Sequence, residues 1–135
     1  MSLITWSDDL SVSIGEIDDQ HKKLIGLINN LHDAMKSGQA KNVMEKTLGD
    51  LADYAVYHFK TEEQYMEKFH YPEYATHKLA HTAFIKKVTQ FQSDFKAGKL
   101  GISMELMNFL REWLTTHIKG TDKNYSATFR KGGVR

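Results

Sequence analysis

The stretch "HFKTEEQYMEKFHYPEYATHKLAH", from His58 to His81, sets an imidazole one helical turn ahead of a carboxylate (His58, Glu62) and an imidazole one turn ahead of another (His77, His81). Residues four apart share a helix face, so each pair offers two donor atoms to a common point. Imidazole donors favour Zn, Cu, Fe and Ni. The chain has no cysteine, which excludes disulfides, thiolate nucleophiles, thiolate zinc sites and iron–sulfur clusters held by the chain. Any metal must be held by nitrogen and oxygen.

These residues have to be positioned by helices. At about 100° per residue, four stretches keep their inward side chains in phase. The first, Asp19 to Met35, carries His21, Leu24, Ile28, Leu31 and Met35, with Asp18 expected as its N-cap. The second, Lys41 to Phe69, carries Met44, Leu48, Leu51, Ala55, His58, Glu62, Tyr65 and Phe69. The third follows Pro72, a residue suited to a first helical position, and carries Tyr74, His77, His81, Phe84, Val88, Phe91 and Phe95. The fourth, Ser103 to Lys119, carries Leu106, Leu110, Trp113, Leu114 and His117. The breaks "SGQAK", "HYPE", "AGKLGIS" and "KGTD" are short and rich in turn formers. Short links make neighbours antiparallel, so the spacing predicts an all-α, up-down-up-down four-helix bundle. Residues 1–17 are expected to form an extended arm with Trp6 against the bundle, 18–120 the bundle and 121–135 a C-terminal segment of one domain.

Five histidines and a glutamate thus occupy the inward phase, where Leu or Phe is the ordinary choice. Burying such a group unsatisfied costs roughly 2–7 kcal/mol. The topology supplies the compensation. The start of helix one (His21), the end of helix two (His58, Glu62), the start of helix three (His77, His81) and the end of helix four (His117) all meet at one end of an antiparallel bundle. Asp122 follows Gly120, whose flexibility is expected to turn the chain so that the carboxylate points back inward. His32 is in phase with His21 but lies roughly 16 Å further along the axis, at 1.5 Å per residue, too far for the same site. His70 lies about 120° from the His58 direction and is expected at the periphery, although Glu67 and His70 form one Glu-x-x-His match.

Seven donors exceed what one ion can hold and suit two. If both ions are six-coordinate and both carboxylates and a hydroxide bridge them, one position stays open for a small ligand. The order His21, "HFKTE", "HKLAH", "HIKGTD" resembles the hemerythrin pattern His…His-x-x-x-Glu…His-x-x-x-His…His-x-x-x-x-Asp, and "ITWSDDLSVSIGEIDDQHKKL" is similar to the opening of bacterial members. The resemblance implies a cofactor of two non-haem irons bridged by hydroxide or oxo. His77, His81 and His117 would hold one iron and His21 and His58 the other, with Glu62 and Asp122 bridging and the open position on the two-histidine iron. It implies reversible dioxygen binding rather than enzymatic turnover. Leu24, Phe59, Trp113, Leu114 and Ile118, which neighbour the ligands, are expected to wall the open position with apolar surface and disfavour loss of charged oxygen species.

Competing expectations are an oxygen or redox sensor acting through a partner, and a di-iron enzyme acting on peroxide or nitric oxide. Carrier or store leads, because the chain reads as one domain without a signalling module or a second acid–base pair. Eighteen basic against seventeen acidic residues give a net charge of +1, which favours neither nucleic acid nor anionic membrane; the basic end "FRKGGVR" reads as solvated. No stretch approaches the roughly 18 apolar residues of a membrane span, and the start "MSLITWSDDL" is unlike a leader. The expectation is a cytoplasmic protein.

Overall fold

A computed structural model of the chain describes residues 4–38, 41–98 and 102–133. Helices α1 (Gly15–Lys36), α2 (Lys41–Lys68), α3 (Tyr74–Lys96) and α4 (Ile102–Thr116) form the bundle. Helix α1 packs on α2, α2 on α3, α3 on α4, and α4 back on α1, which closes the ring. The inward stripes meet as anticipated: Leu24, Ile28 and Leu31 from α1, Leu48, Leu51 and Ala55 from α2, Phe84, Val88 and Phe91 from α3, and Leu106, Leu110 and Leu114 from α4 are all buried. The links "SGQAK" and "AGKLGIS" and the end of "FRKGGVR" fall partly outside the described residues.

Three local expectations are corrected. Helix α1 starts at Gly15, with Ile14 in the N-cap position and no side-chain cap bond. Asp18 instead reaches back to the arm, accepting from the Ser11 hydroxyl at 2.5 Å and from the Val12 N–H at 2.8 Å. The first turn is retained because it buries Ile17 completely. Trp6, half-buried, packs against the core as expected, and the arm is anchored further by Leu10, Val12 and Ile14, all buried. It contains a short 3-10 turn, Asp8–Leu10. At Ile4 it is clamped by Asn29, which accepts from the Ile4 N–H at 2.9 Å and donates to the Ile4 carbonyl at 2.8 Å.

Pro72 lies in the turn before α3, whose N-cap position is Glu73. Helix α2 ends in a Schellman arrangement: the Tyr71 N–H bonds the Met66 carbonyl at 2.8 Å across His70, which has φ 53°. This is the left-handed position that glycine usually fills.

The largest correction concerns the end of α4. Gly120 makes no reversing turn. Residues His117–Asp122 form a π-helical turn that leads straight into α5 (Lys123–Lys131). The C-terminal segment is therefore helical, with Tyr125 and Phe129 wholly buried one turn apart. The π turn has a geometric consequence. In a regular α-helix, residues five apart point about 140° from each other; an i→i+5 turn stacks them. His117 and Asp122 are five apart, and the π turn is what puts both on the inner face.

Candidate metal centre

Helix α1 contributes His21, α2 contributes His58 and Glu62, α3 contributes His77 and His81, and the π turn contributes His117 and Asp122. All seven are buried, at 0–5% exposure. Their donor atoms form two groups within 4.8 Å of mutual separation: Glu62, His77, His81, His117 and Asp122 in one, His21, His58, Glu62 and Asp122 in the other. Both carboxylates belong to both groups. Ring contacts divide the imidazoles the same way. His21 and His58 sit edge to face at 4.6 Å, while His77, His81 and His117 lie 4.6–5.1 Å from one another. His77 Nε2 and His117 Nε2 are each 2.9 Å from Asp122 Oδ1, and His21 Nε2 is 3.1 Å from Oδ2. Around Glu62, His81 Nε2 lies 3.1 Å and His58 Nε2 3.4 Å from Oε1, and His21 Nε2 3.6 Å from Oε2. His32 is half-buried and His70 exposed; neither joins a group.

Close as these atoms are, most make no hydrogen bond. Among the described residues, nine of the ten buried side-chain nitrogen and oxygen atoms without a partner belong to this cluster. A buried orphan costs about 1–3 kcal/mol, so nine at one place cannot be incidental packing. Imidazole Nε2 atoms and carboxylate oxygens facing one another in a buried layer are what cations would satisfy, and the donor set fits two of them.

The electrostatics agree. Burial alone would depress His21, but the carboxylates of Asp122 and Glu62, close by in the same buried layer, outweigh it and raise the group to about 9. Its neighbour His58 is pushed down by burial to about 4, the Glu62 charge notwithstanding. Burial would raise both carboxyls, yet the imidazoles prevail: His117, His21 and His77 hold Asp122 well below the carboxylate range, and His58, His21 and His81 hold Glu62 below it. Carboxylates that stay ionised at 0–1% exposure are a standing demand for positive charge, which protons meet in part at His21 and metal ions would meet in full.

Three supporting residues escape a reading by helical phase alone. Gln20, 6% exposed, accepts from His58 Nδ1–H at 2.6 Å. Glu63 accepts from His81 Nδ1–H at 2.9 Å. Both acceptors are oxygens, which fixes the tautomer and turns Nε2 inward. Tyr125 donates its hydroxyl to Glu62 Oε2, its own pKa pushed well up by burial and by the Glu62 and Asp122 charges. The available signal was adjacency for Gln20 and Glu63, and the four-residue spacing of Tyr125 and Phe129 on a further helix.

Of the expected apolar wall, Leu24, Leu114 and Ile118 are buried. Phe59 stacks on His81 at 3.9 Å with planes 6° apart, and Trp113 stacks on His117 at 4.3 Å and 13°. Phe59 also lies 5.8 Å from His58, so it borders both halves, while the Trp113 stacking is on the three-histidine half.

Residues 12–128 match the family model described as the Hemerythrin HHE cation binding domain. The chain is 42% identical to a bacteriohemerythrin of Stenotrophomonas maltophilia, over 93% of this chain and 81% of that protein. It is 36% identical to a bacteriohemerythrin of Methylococcus capsulatus, over 93% of this chain and 95% of that one. A solved structure of wild-type hemerythrin superposes with a TM-score of 0.89 at 35% identity, covering 95% of this chain and 98% of its own.

Proposed function

The chain belongs to the hemerythrin family, and from that premise we propose that it binds dioxygen reversibly, for storage or delivery, at a non-haem di-iron centre. His77, His81 and His117 would hold one iron and His21 and His58 the other, with Glu62 and Asp122 shared between them. The observation that carries this is the membership of both carboxylates in two otherwise separate ligand groups. When bound, a pair of ferrous ions would supply the two electrons that reversible dioxygen binding draws on.

The protein's own part is positional. The two-histidine group offers one imidazole fewer than the other, so a small ligand has room there and not opposite. Gln20 and Glu63 hold His58 and His81 in the ligating tautomer. Tyr125 holds one oxygen of Glu62 from the far side, so the carboxylate cannot swing away. Leu24, Leu114 and Ile118 keep water out of the same layer. We read the protein as a binding protein acting in the cytoplasm, a location that cell fractionation tests; the nitrogen-rich donor set favours ligand binding over oxygenase chemistry.

The test is the iron content and visible spectrum of the anaerobically reduced protein before and after air. About two irons per chain and a charge-transfer band that appears with air and vanishes under argon are expected. One metal per chain, or a band that never reverses, defeats the reading.

A further inference from the structure

The two halves of the centre are supported unequally. His58 leans on Gln20, a neutral amide, at 2.6 Å. His81 leans on the carboxylate of Glu63 at 2.9 Å. His21 Nδ1 and His77 Nδ1 have no partner. Either oxygen acceptor fixes its ring's tautomer, but only the carboxylate brings charge. A charge-assisted bond draws the Nδ1 proton outward and gives the ring a share of imidazolate character, which strengthens Nε2 as a donor. Glu63 follows Glu62 in sequence yet belongs to neither ligand group. Its side chain is 18% exposed and lines an open groove of about 520 Å³ between α2 and α3, together with Lys60, Lys78 and Lys86. Removing it therefore empties no enclosed core space.

We propose that Glu63 is a positioning residue that acts through His81 to make the three-histidine half the electron-richer of the two, so that the ion held there is bound more tightly and its oxidised state is favoured. The inference rests on the di-iron reading above, and deepens it by distinguishing the two ions.

Two variants separate orientation from charge. Glu63→Gln keeps an acceptor oxygen and loses the charge, giving His81 the kind of support His58 already has; Glu63→Ala loses both. In the cobalt(II)-loaded protein chased with a chelator, Glu63→Ala should hold one of its two ions roughly 10–100-fold more weakly than the unsubstituted protein, the other being unaffected, and Glu63→Gln should fall between. In the iron-loaded protein, Glu63→Gln should raise the reduction potential and slow oxidation by air, while Gln20→Glu should lower the potential. A merely structural glutamate would move neither quantity. Release of both ions by Glu63→Ala at the unsubstituted rate, or an unchanged potential in Glu63→Gln, overturns the proposal. The cobalt chase needs no dioxygen, so a protein that held two ions but bound no dioxygen would sink the carrier function while leaving Glu63's role readable.

Discussion

The two ends of the bundle are built from the same four helices on opposite principles. At one end Leu31, Leu48, Phe91 and Leu106 close on each other and leave a void of only about 10 Å³, at the lower limit for one water. At the other end the same inward positions carry imidazoles and carboxylates with nine unpartnered atoms. Apolar burial stabilises the first by roughly 25 cal/mol per Å² removed from water. The second loses that term and adds a desolvation cost, which bound cations would offset. One end of the molecule holds the fold and the other spends part of that stability on a site.

Removing the ions should separate the two ends most visibly. Chelation of the reduced protein leaves two buried carboxylates facing imidazoles that cannot all be protonated, since His58 is held near 4. A loss of only about 3 kcal/mol would lower Tm by roughly 10 °C in a chain of this size, and at least that is expected. Thermal melts followed by circular dichroism, with and without chelator, decide it; equal melting points would mean that the polar end needs no ions.

Next in size are the shared carboxylates. Asp122→Ala and Glu62→Ala each remove a residue common to both ligand groups, so iron analysis should show both ions depleted, whereas His32→Ala and His70→Ala should keep about two irons per chain. If His70→Ala lost iron as readily as Asp122→Ala, the division between cluster and periphery would be wrong.

That division was legible in the sequence because it depends on helical phase and on which helix ends meet, and both survive errors of a few residues at the boundaries. What sequence could not supply was the π turn. "HIKGTD" contains a glycine and reads as a chain reversal, and an i→i+5 hydrogen bond has no side-chain signature of its own. The outcome for Asp122 was reached, an inward carboxylate, by a different backbone path. Asp18 was misplaced for a similar reason: an aspartate before a periodic stretch looks like a cap, but its partners, Ser11 and Val12, lie in the arm, outside any helical template. Gln20 and Glu63 were missed because a supporting residue must face a ligand on its own or a neighbouring helix, a matter of packing and not of period.

The apolar end offers the converse test. Leu31 is 1% exposed and lies about 15 Å along α1 from His21, ten residues at 1.5 Å each. Leu31→Ala should cost about 2–5 kcal/mol, read by denaturant unfolding, with iron content unchanged. A variant that lost iron in proportion to stability would show that the two ends are not separable in the way their chemistry suggests.

The smallest expected effect sits at the boundary between the two. Ile118 is fully buried and follows His117 in the π turn; Leu114, one turn earlier, is 3% exposed. Neither offers a donor atom, so neither contributes to holding metal. Ile118→Thr replaces the ethyl branch with a hydroxyl one atom shorter, and Leu114→Asn replaces the isobutyl group with an amide of nearly the same shape. Each brings a hydrogen-bonding group to an apolar position beside the ligands, where a charged oxygen species leaving the centre would gain about 1 kcal/mol from it. That corresponds to a decay of the oxygenated form about fivefold faster, with two irons per chain retained and a stability cost of about 1–3 kcal/mol for the buried polar group. Stopped-flow decay of the visible band, measured beside iron content, checks both halves of the statement. Unchanged decay at unchanged iron content would assign Leu114 and Ile118 to the apolar core alone, and the line between the two ends would then fall at the ligands themselves.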